Sequence, residues 1–284
     1  MLAPDWKDYK ILGTGGGLKL EKWKDIILLR PDPQAIWAPT VDYKKFDTHA
    51  RYERDRAGGG RWIVNKPMPD EWKISWRDCV FSVKPTGFKH TGVFPEQAVN
   101  WDILSKTVKT SAEQGKKIKI LNLFAYTGAS TAVLSKAGAV VTHVDAAKGM
   151  VERAGLNCSL NSVPRENTRF IIDDCKKFVM REIKRGKTYN AVIMDPPSYG
   201  RGASGEVWRM EDDVYELVKL TAQLLDDPDF FLINSYTTGL QPQTIENLLT
   251  LCLPTGNTTS YEVCLPTECQ IALPCGCSGL WRNK

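Results

Sequence analysis

Long hydrophobic runs are absent from this chain of 284 residues. A membrane-spanning helix needs about 20 consecutive apolar residues, and no stretch of the sequence approaches that length. The first residues, Met1-Leu-Ala-Pro-Asp-Trp, also lack the basic segment followed by an apolar one that is typical of a secretion signal. We therefore predict a cytoplasmic protein without a membrane partner.

Paired C-x2-C spacing is absent as well, although the chain contains eight cysteines. Four of them form a short cluster of soft ligands that zinc would accept: Cys264, Cys269, Cys275 and Cys277. Their C-x4-C-x5-C-x-C spacing lacks the two tight ligand pairs of a structural zinc site, and apolar residues lie between them. We expect a buried β-hairpin with reduced thiols here, and no metal.

Two common phosphate-binding motifs are missing from the start of the α/β region described below. G-x-G-x-x-G is typical of dinucleotide oxidoreductases, and G-x-x-x-x-G-K-[ST] of phosphoryl-transfer enzymes. The glycine-rich run at residues 13–17 superficially resembles the second motif, but it lacks the Lys-Ser/Thr pair and precedes no convincing helix. We interpret it as a hairpin turn.

The residues that are present divide the chain into two regions. Up to about residue 83, short apolar runs alternate with glycine and proline clusters, which predicts a small β-rich module. From residue 89 onward, strand-like and helix-like runs alternate, which is typical of an α/β domain with a doubly wound, mainly parallel sheet and helices on both faces. We predict domains at residues 1–88 and 89–284. The predicted strands are 118–124, 139–144, 168–172, 190–194, 229–234, 259–264 and 270–274, and the predicted helices are about 95–114, 129–137, 148–160, 174–185 and 211–225.

Polar or turn-forming residues follow three of these strands directly. The first strand ends in Asn122-Leu-Phe-Ala-Tyr-Thr-Gly128 and leads into a helix. Gly128 permits a close approach of a ligand to the backbone, and the free N–H groups of the helix start favour an anionic group. Ligands of open α/β sheets bind at the carboxyl ends of the strands, so we expect a binding site there.

Two acidic positions follow the second and third strands. Asp145 lies 17 residues after Gly128, the spacing at which an acid of a Rossmann-like unit binds both ribose hydroxyls. The alternative is that Asp145 caps the helix beginning near Ala147. Asp173 and Asp174 are placed to accept from an exocyclic amine, but two acids at this position also suit the first turn of a helix.

The fourth strand ends in Asp195-Pro196-Pro197-Ser198-Tyr199. Two prolines terminate the strand ladder and stiffen the loop, so that it can orient a carboxylate and a carbonyl. Tyr199 offers an aromatic face on which a flat substrate can stack. Asp-Pro-Pro alone is only a turn signal, but after these strands it indicates a site.

With these segments the chain resembles the class I S-adenosylmethionine-dependent methyltransferases, which have a Rossmann-like fold. Within that class it is similar to the large-subunit ribosomal-RNA cytosine-C5 methyltransferases. The likeness runs from about Leu12 to Trp281. Its most specific pieces are residues 89–97 (KHTGVFPEQ), 121–128 (LNLFAYTG), 144–148 (VDAAK), 173–175 (DDC) and 195–200 (DPPSYG).

The resemblance implies a role for particular residues. It implies that S-adenosylmethionine is the cofactor and S-adenosylhomocysteine the product, that Asp145 binds the ribose, and that Asp195 with Pro196 faces the transferred methyl group. Pro197 and Tyr199 complete the predicted catalytic loop. The remaining predicted cofactor residues are Phe124, Tyr126, Thr127 and Gly128 at the methionine end, Asp174 and Cys175 at the adenine, and Lys89, Thr91 and Gln97 closing the pocket. For the last three, interdomain packing is the alternative.

The chain departs from the family at its fifth strand. C5 methylation of cytosine needs a thiolate that adds to C6, and the family places that cysteine after the fifth strand, where this chain has Ser235-Tyr236-Thr237. Cys269 or Cys275 would have to replace it. Ala147 also stands where the family has a serine after the ribose acid.

The predicted substrate is a base in RNA, with ribosomal RNA as the first candidate. The net charge of +5 lies in the first third, where residues 1–90 carry 17 Lys/Arg and 12 Asp/Glu. Such an excess favours a nucleic-acid partner, although it is also common on proteins that bind no polyanion. The alternatives are a protein or small-molecule methyltransferase and a protein that binds the cofactor without turnover.

Overall fold

The computed structural model describes residues 1–55, 59–201, 205 and 207–284. The chain forms two compact units. The first contains residues 1–99 and 263–275, and the second contains residues 100–262 and 276–284. The sequence-based domain boundary after residue 88 stays a prediction.

The first unit is built mainly from β-strands. Its strands are β1 (Tyr9–Gly15), β2 (Leu18–Trp23), β3 (Ile26–Pro31), β4 (Ala50–Arg54), β5 (Gly60–Val64), β6 (Trp72–Trp76) and β7 (Cys79–Val83). The first five form one sheet in the order β1-β2-β3-β4-β5, and β6 pairs with β7. Gly16 and Gly17 connect β1 to β2 with φ of 61° and 74°, so the glycine-rich run is the predicted hairpin turn.

The second unit alternates strands and helices. Its elements are α1 (Ala98–Glu113), β8 (Lys119–Leu123), α2 (Ala129–Lys136), β9 (Val140–Asp145), α3 (Lys148–Leu160), β10 (Thr168–Ile172), α4 (Cys175–Lys184), β11 (Tyr189–Met194), β12 (Tyr199–Arg201), β13 (Val207–Arg209), α5 (Met210–Ala222), β14 (Leu225–Ser235), α6 (Pro242–Cys252), β15 (Asn257–Pro266) and β16 (Ala272–Arg282). Three of these were not predicted: α6, β12 and β13. The buried residues Ile245, Leu248 and Leu249 of α6 have helical spacing, so its signal was present in the sequence.

The large sheet has seven strands in the order β10-β9-β8-β11-β14-β16-β15. The first five run parallel to their neighbours, and β16 is antiparallel to β14. This confirms the predicted fold class, a Rossmann-like sheet that is mainly parallel. The strand order reverses between β8 and β11, and that reversal opens the crevice in which such sheets bind ligands.

Side chains alternate between two apolar layers because successive residues of a strand point to opposite faces. On β14, Phe231 packs with α4, α5 and α6, whereas Phe230 packs with α1 and α2 on the other face. Helices therefore cover both faces of the sheet, as the sequence predicts. None of the helices in the described ranges combines the length and the apolar character that a membrane span requires.

The terminal strands β15 and β16 are neighbours, as the hairpin prediction requires. Cys264 lies on β15, Cys275 and Cys277 lie on β16, and Cys269 lies in the connection. All eight cysteines are free thiols. Among the described residues, no three His, Cys, Asp or Glu side chains are close enough together to hold a metal ion.

Candidate active site

The carboxyl ends of three adjacent strands of the second unit are joined by main-chain hydrogen bonds. The N–H of Ala125, just after β8, donates to the carbonyl of Val144 on β9 at 3.1 Å. The N–H of Asp195, just after β11, donates to the carbonyl of Leu123 at 3.3 Å. The segments predicted from the sequence therefore lie side by side at one sheet edge, on either side of the strand-order reversal.

The loop after β8 has an unusual backbone. Phe124 and Tyr126 both adopt left-handed conformations, with φ of 52° and 51°. Such conformations are strained for residues with a large side chain and persist only where the surroundings hold them. The Cys175 thiol accepts from the Phe124 N–H at 3.3 Å, and Asn157 of α3 donates to the Thr127 carbonyl at 2.8 Å. The loop is therefore held from two helices.

Asp145 connects this loop to the end of β9. Its Oδ2 accepts from the Tyr126 N–H at 2.8 Å, and its Oδ1 accepts from the Ala147 N–H at 2.9 Å. The second bond matches the capping alternative in part, although the helix cap itself is Ala147. Burial raises the pKa of Asp145, against the effect of these two N–H donors. The remaining lone pairs of each oxygen can still accept from ribose hydroxyls.

Gly128 is required by packing as well as by its conformation. It caps α2 with a φ of 76°. A Cβ at this position would lie 2.5 Å from the Cβ of Ala154 on α3. The sequence pattern predicts that Gly128 allows close approach of a ligand, whereas the space that a side chain would need at this position is occupied by Ala154 of α3. The first N–H groups of α2, which have no acceptor within the helix, remain suited to an anionic group.

Asp174 and Cys175 occupy different environments. Asp174 is exposed and caps α4, with its Oδ1 accepting from the Lys177 N–H at 2.8 Å, which is the helix-start alternative. The Cys175 side chain is buried under the β8 loop, and burial raises the pKa of its thiol. At Cys175 the backbone, and not the buried thiol, remains suited to contact an adenine.

The loop after β11 turns outward. Pro196 is buried, Pro197 and Ser198 are exposed, and Tyr199 is 50% exposed at the start of β12. The Tyr199 hydroxyl accepts from Nε of Arg201 at 2.8 Å. An exposed aromatic ring beside a guanidinium is a surface on which a nucleobase can stack.

Two residues that the sequence reasoning missed hold this loop. The indole Nε1 of Trp208 on β13 donates to the Pro197 carbonyl at 2.7 Å, and the Thr237 hydroxyl donates to the Ser198 hydroxyl at 2.8 Å. Trp208 also lies with its ring centroid 5.3 Å from that of Phe124. No spacing in the sequence indicates these contacts, because they join different elements of the fold.

The predicted residues Lys89, Thr91 and Gln97 belong to the first unit. The segment is anchored by Arg30, whose Nη1 donates to the Lys89 carbonyl at 2.8 Å. Arg30 also forms a two-pronged contact with the fully buried Glu21, through Nε at 2.5 Å and Nη2 at 2.7 Å. The Lys89 backbone is thus fixed by a buried ion pair.

The surroundings of this segment are rich in positive charge. Burial, followed by the charge of Lys19, lowers the pKa of Lys89 to about 8. Burial, followed by the charge of Arg30, lowers the pKa of His90 to about 3. The Thr91 Oγ1 is fully buried and has no hydrogen-bond partner among the described residues. Gln97 is buried as well. The Lys89 amine, when protonated, can receive an anionic group, and the Thr91 hydroxyl can pair with a polar group of a ligand.

The reversed strand order, the helix start after β8 and the acid after β9 define a nucleoside-binding Rossmann-like protein. The family model for S-adenosylmethionine-dependent methyltransferases matches residues 31–231, and the chain belongs to this family. The S-adenosylmethionine-dependent methyltransferase from Agrobacterium tumefaciens has 31% sequence identity and a TM-score of 0.92, over 100% of this chain and 93% of that one. The predicted enzyme class and cofactor are therefore confirmed.

More distant relatives cover parts of the chain. Ribosomal RNA large subunit methyltransferase I of Tolumonas auensis is 26% identical over 73% of this chain and 50% of its own length. Ribosomal RNA large subunit methyltransferase K/L of Syntrophotalea carbinolica is 27% identical over 62% of this chain and 23% of its own length. The chain thus spans half or less of these relatives. A putative methyltransferase complexed with SAH shares the fold, with a TM-score of 0.76 and 17% identity over 96% of this chain and 75% of that one.

The residues of the second unit fit this cofactor. Asp145 has free acceptor capacity at the ribose position, and the start of α2 favours a carboxylate. When bound, S-adenosylmethionine supplies an already activated methyl group on its sulfonium. The protein therefore has to align an acceptor atom and remove its proton.

Proposed function

We propose that this protein transfers a methyl group from S-adenosylmethionine to a base in RNA, with ribosomal RNA as the first candidate. The main support is the loop after β11, where the half-exposed ring of Tyr199 lies three residues beyond the buried Pro196 and four beyond Asp195. A base taken out of its stack needs such an aromatic platform next to the reacting group. The names of the ribosomal-RNA relatives and the basic excess of residues 1–90 support the same substrate.

The proposed cofactor contacts follow the strand ends. Asp145 binds the ribose, and Asp174 with the backbone of Cys175 meets the adenine. The methionine end lies against the loop after β8, formed by Phe124, Tyr126, Thr127 and Gly128. Lys89, Thr91 and Gln97 are assigned to the cofactor on the family resemblance, together with the cationic surroundings of Lys89 and the unpaired Oγ1 of Thr91.

Catalysis in this proposal rests on alignment and proton removal. Asp195 is positioned by the bond from its N–H to Leu123, and Pro196 and Pro197 keep its loop stiff. Holding the acceptor atom in line with the methyl group replaces a bimolecular encounter with a local one, which is the largest gain available without a protein nucleophile. The Asp195 carboxylate takes the proton that the acceptor loses.

We further propose that the acceptor is an exocyclic nitrogen of the base, because a nitrogen lone pair needs no thiolate adduct. Cys277 lies opposite Ser235 across the β14–β16 pair, but its thiol donates to the Leu240 carbonyl at 3.5 Å. Burial raises the pKa of Cys277 to about 11, which disfavours a thiolate at neutral pH. Replacement of Cys269, Cys275 or Cys277 with serine is then expected to leave turnover unchanged. Loss of turnover in one of them would favour C5 methylation.

Calorimetry with S-adenosylmethionine tests the cofactor site. We expect a dissociation constant in the micromolar range for the full chain, and the absence of binding at tens of micromolar would contradict the proposal. Asp145→Ala removes the ribose acceptor and should abolish binding. Asp212→Ala, which changes an exposed acid in the first turn of α5, is the matched control and should bind normally.

Methyl transfer from radiolabelled S-adenosylmethionine identifies the substrate class. The full chain is incubated with total RNA, protein extract or a metabolite extract, and label is expected in RNA alone. Digestion to nucleosides and mass spectrometry then separate a methylated amino group from a C5-methylated pyrimidine. Label appearing only in protein or metabolites would overturn the RNA assignment, and label in none of the three with intact cofactor binding would indicate a protein without turnover.

A further inference from the structure

Trp208 touches both loops of the candidate active site. Its Nε1 donates to the carbonyl of Pro197, in the loop after β11, at 2.7 Å. Its ring lies 5.3 Å from the ring of Phe124, in the loop after β8, with the two planes inclined by 48°. The first loop carries the proposed acceptor side of the reaction, and the second carries the proposed cofactor side.

Trp208 is itself firmly placed. It lies on β13 opposite Gly200 of β12, and β13 leads directly into α5, which begins at Met210. The Met210 N–H donates to the Ser198 carbonyl at 3.1 Å, one residue beyond the acceptor of the indole. The ring of Trp208 also packs against the apolar layer formed by α4, α5 and α6. A position fixed by strand pairing, helix start and core contact makes the indole a rigid support.

The ring contact is aromatic and tilted, which is a favourable arrangement for two π systems. Phe124 needs such support because its φ of 52° lies in the left-handed region. The single indole therefore sets two quantities: the position of the Asp195-Pro196-Pro197 segment, through the hydrogen bond, and the position of Phe124, through the ring.

We propose that Trp208 is a positioning residue for methyl transfer, which clamps the loop after β11 against the loop after β8 so that the acceptor is held in line with the methyl group. This inference rests on the proposed function. Trp208 acts through Pro197 and Phe124 and need not touch either reactant. A displacement of about 1 Å between reacting groups can lower a rate about a hundredfold, so the clamp acts mainly on turnover.

Trp208→Phe separates the two contacts. Phenylalanine keeps an aromatic ring next to Phe124 but removes the N–H that holds Pro197. We expect turnover with total RNA at saturating S-adenosylmethionine to fall about fivefold, the effect of one lost hydrogen bond, while the dissociation constant of the cofactor by calorimetry stays within twofold. Trp208→Ala removes both contacts, and we expect a fall of about a hundredfold in turnover together with weaker cofactor binding.

Trp281→Phe is the matched control. Trp281 lies on β16 of the same unit, and its Nε1 also donates to a proline carbonyl, that of Pro254, at 2.9 Å. It is placed in neither loop of the site. We expect this variant to melt at a lower temperature but to keep its turnover at a temperature where it is folded.

The outcomes distinguish this inference from the function on which it rests. If the unaltered chain binds no S-adenosylmethionine, the proposed function fails. If the unaltered chain is active and Trp208→Phe differs from it only in thermal stability, as Trp281→Phe does, the positioning role is wrong while the function stands. Equal losses of turnover in the two variants would also overturn it, since they would show a general effect on stability.

Discussion

The main-chain N–H of Tyr126 donates to the carboxylate of Asp145 at 2.8 Å, across 19 residues of sequence. The bond joins the strained loop after β8 to the end of β9. It means that the proposed ribose acid also maintains the shape of the proposed methionine pocket. Asp145 therefore has a structural and a binding role that a single substitution will affect together.

Asp145→Asn is expected to weaken S-adenosylmethionine binding at least tenfold and to lower the free energy of unfolding by about 1–3 kcal/mol. An amide offers one acceptor oxygen, so either Tyr126 or Ala147 loses its partner. Calorimetry and thermal melting measure the two effects. In Asp174→Asn the helix cap is conserved, so stability should hold. A change in the cofactor affinity of Asp174→Asn would therefore report the proposed adenine contact directly. Normal cofactor binding by Asp145→Asn would contradict the ribose assignment.

Gly128→Ala is expected to lower the free energy of unfolding by about 2–4 kcal/mol, since it combines left-handed strain with overpacking against Ala154. Gly115 is a matched control because its φ of 79° is close to the 76° of Gly128 while a Cβ there meets nothing within 4 Å. Gly115→Ala should therefore show only the strain, about 1 kcal/mol. Chemical denaturation measures both, and equal losses would show that the contact with Ala154 is unimportant.

The proposed contact of Lys89 with the cofactor predicts that binding depends on pH. Burial, followed by the charge of Lys19, lowers the pKa of Lys89 to about 8. Only the protonated amine attracts a carboxylate, so we expect affinity for S-adenosylmethionine to be constant below pH 8 and to fall up to about tenfold per pH unit above it. The amino group of the cofactor titrates in the same range, and Lys89→Arg, which stays charged, isolates its contribution. Identical pH profiles for the two proteins would exclude Lys89 from the site.

His143 predicts the response of the second unit to acid. It is buried, with Nδ1 3.0 Å from the Thr131 hydroxyl, and burial lowers its pKa to about 3. The unfolded chain, with a histidine pKa near 6.5, binds the proton more readily than the folded chain. Stability contributed by the neutral imidazole is therefore present above about pH 6.5 and is lost as pH falls towards 3, by up to about 1.4 kcal/mol per pH unit.

Denaturation between pH 7 and 5 measures this slope. In His143→Asn the amide oxygen can still accept from Thr131, so the variant should lose part of the slope while remaining folded at pH 7. His90 contributes in the same direction in the first unit, where burial and Arg30 lower its pKa to about 3. A slope unchanged by the substitution would contradict the assignment to His143.

Glu21→Gln tests the buried ion pair that anchors the Lys89 segment. Removal of the charge leaves Arg30 buried without a counterion, and we expect the first unit to lose about 3–5 kcal/mol of stability. Asp5→Asn breaks an exposed ion pair with Arg77 in the same unit and should cost less than about 1 kcal/mol. Comparable losses in both variants would show that the buried pair contributes no more than a surface one.

The sequence predicted most of the large sheet because its strands are continuous apolar runs and its helices have regular spacing. All seven predicted strands and all five predicted helices overlap elements of the structure, and the acids and glycine at the strand ends marked the edge at which the proposed site lies. Local patterns of this kind are set by which side chains a strand or helix buries, and they are visible without the fold. Helix α6, which was not predicted, carries the same kind of signal in Ile245 and Leu248.

By itself, the sequence determined the fold class, the order of the strands along the chain and the residue types at each strand end, since these depend on spacing and on local backbone preference. Only the tertiary structure decided that Gly128 faces Ala154, that Arg30 holds Lys89 and that Trp208 bridges Pro197 and Phe124. Those contacts join separate elements of the fold, and their geometry depends on how packing brings these elements together, which no local pattern records.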